Sequence, residues 1–284
     1  LIIQNKIPEV VVGCFDPFEE VNGKGIKKMQ DAGIHVEVGI SEKECREINQ
    51  RFFTFHIKHR PFVILKWAQT ADGKIGIPLN PSAEWRRTFE DFGSKRLFIS
   101  NEYSNRLVHK WRSEEAAILV GTNTALMDDP ELSTRLWPGF SPIRLVIDID
   151  LRLPSALRIF NRQQMTIVFN TIKHEEENKI FYYKLTKDES VLHQIMKALY
   201  KLNIQSVLVE GGAKLLQSFI DEDLWDETRV IKNEKLIINN GVNAPALINH
   251  ESIKEEKLIN DQIVYYSNLK STPAYSVGQV KSQI

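Results

Sequence analysis

The sequence predicts an α/β fold on a largely parallel sheet. Short β-rich runs alternate with helix-period patterns along most of the chain. The run Ala116 to Val120 is continuously apolar, as a strand buried on both faces requires, and Ser206 to Val209 is a strand that leads straight into Glu210-Gly211-Gly212 and a helix pattern. With 284 residues, 42% of them hydrophobic and 26% charged, the chain is long enough for one large domain or two modest ones with a sizeable core.

Taken in order, Val10-Val11-Val12 reads as a buried strand and Gly25 to Ala32 as a helix stopped by Gly33. Val36-Glu37-Val38 is the next strand. Ser41 with Glu44 has the capping-box spacing, which predicts a helix running to about Phe55. Pro61 interrupts, and Phe62 to Trp67 begins a new strand; the βα units on either side of His56 to Pro61 look self-contained, so a domain boundary is placed there. Beyond it, helices are expected over Ser104–Glu115, Ser190–Leu202 and Ala213–Ile220. Val191, Ile195, Ala198, Leu199 and Leu202 line one face of the second of these. Strands are expected at Arg144–Ile149, Thr166–Phe169 and Ser206–Val209. Lys235–Ile238 and Gln262–Ser267 are read as late antiparallel strands, and the polar tail from Asn268 as frayed.

Thirty-seven basic residues balance thirty-seven acidic ones, so a nucleic-acid footprint is absent at the level of the whole chain. The longest apolar run, Ala116 to Val120, is far short of the roughly 20 residues of a membrane span. Cys14 and Cys45 supply neither a disulfide framework nor a Cys-rich zinc site, and a reducing cytoplasm is the expected compartment. The opening Leu1-Ile2-Ile3-Gln4, without Met or signal features, reads as the middle of a helix and the chain as a piece of something longer.

The common nucleotide fingerprints are missing: neither G-x-G-x-x-G nor G-x-x-x-x-G-K-[ST] occurs. Gly23-Lys24-Gly25 is read as a turn ahead of a helix, and His56 and His59 as boundary histidines without a third ligand. Glu210-Gly211-Gly212 is more specific. Glycines after a strand admit a ligand close to the backbone, and the first amides of the next helix attract anions, although an ordinary turn fits equally well. Glu210 itself falls at the carboxyl end of a strand, where open α/β sheets bind ligands. Gly121 to Pro130 follows another buried strand, and its Thr and Asp side chains suit either ligand binding or turn capping. Lys66, Arg112 and Arg135, if brought to one crevice, suit a phosphorylated substrate.

These segments together resemble a known family. Phe62 to Ile75, with Lys66-Trp67-Ala68-Gln69 and Asp72-Gly73, is similar to the opening strand and loop of the riboflavin-biosynthesis reductase domain. Ala117 to Arg135 resembles that family's central motif, and Ser206 to Ala213 its C-terminal nucleotide-site motif. Val10 to Pro17 and Gly23 to Ile26 resemble the last part of the pyrimidine deaminase domain that precedes the reductase in bifunctional RibD proteins. The resemblance implies a dihydrofolate-reductase-like domain over residues 59–284, preceded by a partial cytidine-deaminase-like α/β remnant over 1–58. It implies NADPH-dependent reduction of 5-amino-6-(5-phosphoribosylamino)uracil to its ribitylamino product. Carried over residue by residue, substrate contacts fall on Lys66, Arg112, Leu132, Arg135 and Glu210. NADPH contacts fall on Gln69, Phe98, Thr124 and Asp128, and on Gly212, Ala213, Lys214, Leu215, Leu216, Gln217 and Ser218. Either water or Lys66 can serve as proton donor, and no catalytic side chain is singled out.

Partners expected on this reading are a phosphorylated pyrimidine and further copies of the chain, as a dimer or tetramer, with no nucleic acid and no membrane. The family pattern is departed from at Arg96-Leu97-Phe98, after the unusual stretch Pro81 to Ser94, and at Ile149, where a polar residue is usual. The deaminase's zinc-binding His-Ala-Glu and Pro-Cys…Pro-Cys motifs are missing, so zinc is expected only in a longer protein that carries them. A complete bifunctional deaminase–reductase and a catalytically weakened nucleotide-binding scaffold are the alternative readings.

Overall fold

The computed structural model describes residues 1–18, 21, 23–77 and 98–271; Pro81 to Ser94, Arg96-Leu97 and the tail beyond 271 lie outside the described residues. The chain divides into two compact units, Leu1–Phe62 with Met196–Gln205, and Val63–Ile195 with Ser206–Ile284.

In the first unit, β1 (Glu9–Val12) and β2 (His35–Val38) pair in parallel around α1 (Lys24–Asp31). Val10-Val11-Val12 forms its strand but is not buried: the sheet has only two strands, and Val11 is 57% exposed. The capping box expected at Ser41 does not form. Ser41 lies in the left-handed region at φ 55° and its hydroxyl caps nothing, so α2 (Glu42–Ile48) starts without it. The expected single helix is broken at Asn49, whose side-chain amide donates to the Cys45 carbonyl at 2.8 Å, and α3 continues over Gln50–Lys58. His56 packs on the rings of Phe18 and Phe52, with centroids at 4.8 and 4.4 Å, which accounts for it without a metal. Leu1 to Gln4 forms turns, not a continuing helix, with Asn5 N–H donating to the Leu1 carbonyl.

The second unit holds the main sheet. Its order is β13-β14-β11-β3-β10-β5-β6-β7-β9-β8, from β3 (Phe62–Gln69), β5 (Ala117–Gly121), β6 (Ile143–Ile147), β7 (Thr166–Asn170), β8 (Glu175–Glu177), β9 (Ile180–Lys184), β10 (Ser206–Val209), β11 (Glu227–Asn233), β13 (His250–Leu258) and β14 (Asp261–Asn268). Parallel pairs run from β10 through β5, β6, β7 and β9, and also join β11 to β3. Antiparallel pairs occur towards the two edges, at β14 and β8. The expected largely parallel α/β sheet is therefore what forms. Val63 to Leu65, Ala117 to Val120 and Val207 to Val209 are fully buried, as strands covered on both faces must be.

Helices α4 (Glu102–Glu114), α5 (Thr122–Asp128), α6 (Val191–Lys201), whose residues from Met196 on belong to the first unit, and α7 (Ala213–Asp221) complete the pattern, with β4 (Lys74–Gly76) and β12 (Val242–Asn243) as a separate ribbon. Asn101 caps α4, its Oδ1 accepting from the amides of Tyr103 and Ser104 at 2.9 and 3.0 Å. Lys235 to Ile238, expected as a strand, is a loop. The side-chain oxygen of Asn233 accepts from the amides of Lys235 and Leu236 at 3.0 and 2.9 Å, which turns the chain at the end of β11. Among the described residues no helix is long and apolar enough to cross a membrane.

Asp226 locks the start of the central strands. Its carboxylate accepts the Val63 amide at 2.8 Å, its own amide donates to the Val63 carbonyl at 2.9 Å, and the Ser271 hydroxyl donates to it. Asp226→Ala leaves a buried amide without a partner, and a loss of about 1–3 kcal/mol is expected in urea denaturation.

Candidate functional site

The parallel strands β5 and β10 run in one direction, and their carboxyl ends open into a cleft of about 960 Å³ within the second unit, which Lys66 to Ala68 of β3 also line. Glu210 follows β10 directly, its amide donating to the Leu119 carbonyl at 3.0 Å. Its side chain is only 7% exposed, and a buried carboxylate needs a partner. Arg112, from the last turn of α4, supplies it in fork geometry: Nε donates to Oε1 at 2.8 Å and Nη2 to Oε2 at 2.7 Å. Lys66 on β3 brings its ammonium to 3.9 Å from Oε2. Burial alone would push the Glu210 carboxyl up. Arg112 and Lys66 more than reverse this and hold it at about 2.

Arg112 also ties in the loop that follows α5, its Nη1 donating to the Ser133 carbonyl at 3.2 Å. In that loop Leu132 adopts φ 54°, a strained backbone for a branched residue, while its side chain is held in the core with Ile118, Val120 and Val146. What Leu132 can offer a ligand is therefore main chain. Arg135 is half exposed, with Nη1 donating to Glu131 at 3.1 Å and to Ser133 Oγ at 2.9 Å.

Directly after Glu210, Gly211 and Gly212 pass against α5. A Cβ at Gly211 would come within 2.8 Å of Thr124 Cγ2, and Gly212 has φ 75°, so glycine is required at the close approach. The first amides of α7 then have no intrahelical acceptor and are available to an anion. This glycine cradle with a helix start fits the pyrophosphate of a dinucleotide. Among the described residues, no group of three or more His, Cys, Asp or Glu side chains is placed to hold a metal ion.

Of the residues expected from the sequence, Lys66, Arg112, Leu132, Arg135 and Glu210 all line the cleft, as do Phe98, Thr124, Asp128, Gly212, Ala213 and Leu216. Phe98 is 72% exposed. Gln69, Lys214, Leu215, Gln217 and Ser218 are not in the lining. Gln69 accepts from Trp67 Nε1 at 2.8 Å, Gln217 accepts from the Ala246 amide at 2.9 Å, Ser218 donates back to the Lys214 carbonyl at 2.9 Å, and Leu215 lies against Gly121. At the end of β6 the Asp148 carboxylate accepts the amides of Arg152 and Leu153, and the Ile149 carbonyl accepts from Thr171. Ile149 thus serves its turn through main chain.

Among the cleft residues that escaped the sequence reading are His109 and Arg158. His109 precedes Arg112 by one turn of α4, and its Nδ1 accepts the Arg135 amide at 3.0 Å. Arg158 enters from a 3₁₀ turn, held by Asp129 through Nε at 3.2 Å. The spacing of His109 to Arg112 was the available signal for the first; no sequence signal marked the second.

Glu210→Gln leaves the Arg112 guanidinium buried without its anion, and a loss of about 3–5 kcal/mol is expected. Because the folded carboxyl is held at about 2 against an ordinary 4.5, its contribution is full above pH 4.5 and is lost as pH falls towards 2. Denaturant titrations across that window should show the slope in the parent and a flatter one in the glutamine variant.

The chain is similar to known proteins. The chain is 35% identical to the riboflavin biosynthesis protein RibD of Aquifex aeolicus over 83% of its residues, and 33% identical to that of a Synechocystis strain over 86%. It spans 64% of the length of each. The crystal structure of a Thermotoga maritima diaminohydroxyphosphoribosylaminopyrimidine deaminase/5-amino-6-(5-phosphoribosylamino)uracil reductase matches with a TM-score of 0.78 at 29% identity, covering 94% of this chain and 73% of that one. Acinetobacter baumannii RibD gives 0.79 at 24% identity, covering 94% and 74%, a likeness of fold. Residues 61–268 match the profile of the RibD C-terminal domain, and the chain belongs to that family.

Proposed function

We propose that the cleft is the active site of an NADPH-dependent reductase acting on 5-amino-6-(5-phosphoribosylamino)uracil in riboflavin biosynthesis. The observation that carries this reading is the meeting, in one cleft, of a glycine cradle with a helix start and a floor of Lys66, Arg112, Arg135 and Glu210. The reductase activity named for the Thermotoga maritima protein agrees with it. When bound at Gly212 and the start of α7, NADPH supplies the hydride that reduces the imine-like C1′ of the opened ribose.

The chain's own residues do the rest. Each Glu210 oxygen takes one Arg112 N–H, and a carboxylate oxygen has a second lone pair to accept from a ribose hydroxyl. Arg112 is largely committed to Glu210 and Ser133, so the half-exposed Arg135 is the guanidinium best placed to engage the substrate phosphate, with Arg112 behind it. Lys66 holds a proton beside Glu210, and either Lys66 or water delivers one to the reduced product. Thr124, packed on Gly211, fixes the cradle's width. We assign residues 59–284 to this reductase and residues 1–58 to a deaminase-like remnant.

Two variants separate the sites. Arg135→Ala removes a charge-assisted contact of about 1.5–3 kcal/mol, so kcat/KM should fall by about one to two orders of magnitude while NADPH affinity holds. Gly212→Val crowds the cradle and should raise the NADPH Kd about tenfold or more, leaving ribose 5-phosphate binding in place. Both are read by NADPH oxidation with substrate and by calorimetry with each ligand. An Arg135 variant that loses NADPH but keeps its substrate KM contradicts the assignment.

A further inference from the structure

We propose that His109 is the positioning residue that sets Arg135 for phosphate, by lending the Nδ1 lone pair of a neutral imidazole to the Arg135 amide. The proposal rests on the reading of the cleft as a phosphate-binding reductase site. His109 is 2% exposed and lines the cleft from α4. Its Nδ1 lies 3.0 Å from the Arg135 backbone nitrogen, which donates. An imidazole with protons on both nitrogens has no acceptor, so this bond exists only for the neutral ring and fixes the tautomer with hydrogen on Nε2.

The surroundings keep the ring in that state. Burial disfavours the cation most, and Arg112 on the same helix and Arg135 from the loop add positive charge facing the ring. Glu210 from the end of β10 and the Ser133 main chain act the other way and are outweighed, leaving the ring at about 4 from an ordinary 6.5. Arg112 and His109 thus hold one loop at two points, the Ser133 carbonyl and the Arg135 amide, with Leu132 strained just ahead of them. The Arg135 side chain leaves this anchored backbone directly, so a released amide loosens the guanidinium without touching the ligand.

The test uses ribose 5-phosphate as calorimetric probe at neutral pH. His109→Leu removes the acceptor and should weaken binding about tenfold. His109→Asn keeps an oxygen near the Nδ1 position and should recover most of the loss. NADP⁺ affinity should be unchanged in both. Combined with Arg135→Ala, His109→Leu should add little, because both act through one guanidinium. Nitrogen-15 NMR of the unaltered protein should show the Nε2–H tautomer at neutral pH, and this arm stands even if the leucine variant does not fold. Equal weakening by leucine and asparagine, full additivity with Arg135→Ala, or an Nδ1–H tautomer overturns the proposal. Parent protein that binds no ribose 5-phosphate while showing the Nε2–H tautomer overturns the phosphate reading instead.

Discussion

The buried Glu210–Arg112 pair is the constraint on which the cleft depends. A carboxylate at 7% exposure is tolerable only with a cation in good geometry, and the forked pair at 2.8 and 2.7 Å provides it. Because Glu210 closes β10 and Arg112 closes α4, satisfying one charge fixes a helix against the strand ends. The remaining Arg112 nitrogen then fixes the Ser133 loop. Replacing the pair by apolar groups would fill the space but would leave the cleft without its acceptor and without a fixed cation.

The sheet provides the direction in which this constraint acts. Parallel pairing from β10 through β5 to β6 brings strand ends to one side, so the turns after them share a rim. Glu210, the glycines and α5 therefore meet without long connections. Thr124 touches the glycine backbone across that rim, at distances a side chain on Gly211 would violate. The glycines are thereby shaped for close backbone approach, and the Glu210, Arg112 and Lys66 cluster beside them carries charge.

Much of this was legible in the sequence because the signals were local. The apolar runs at Val63, Ala117 and Val207 mark buried strands whatever surrounds them, and Glu210-Gly211-Gly212 marks a strand end. Failures came where tertiary context decides. Ser41 has the residue type of a cap, but its backbone is left-handed and its hydroxyl makes no capping hydrogen bond. β11 went unread because Glu227-Thr228-Arg229 looks polar, although Thr228 and Arg229 are buried beside β3 and β14. β13 and β8 carry charges because they are edges, which hides them from any apolar pattern. The role of His109 could not be read, since its acceptor function exists only once the Arg135 amide is beside it. The motif resemblance named Arg112 and Glu210 as candidates; only the fold shows that Arg112 is committed to Glu210.

The central claim is that Glu210 is an ionised, buried carboxylate held by Arg112. Carbon-13 NMR of glutamate-labelled protein, with the Glu210 resonance assigned from the glutamine variant, follows its charge directly. The account predicts a carboxylate that stays ionised as pH is lowered, until about 2 or until the chain unfolds in acid. A Glu210 resonance titrating at or above its ordinary 4.5 in folded protein would contradict it.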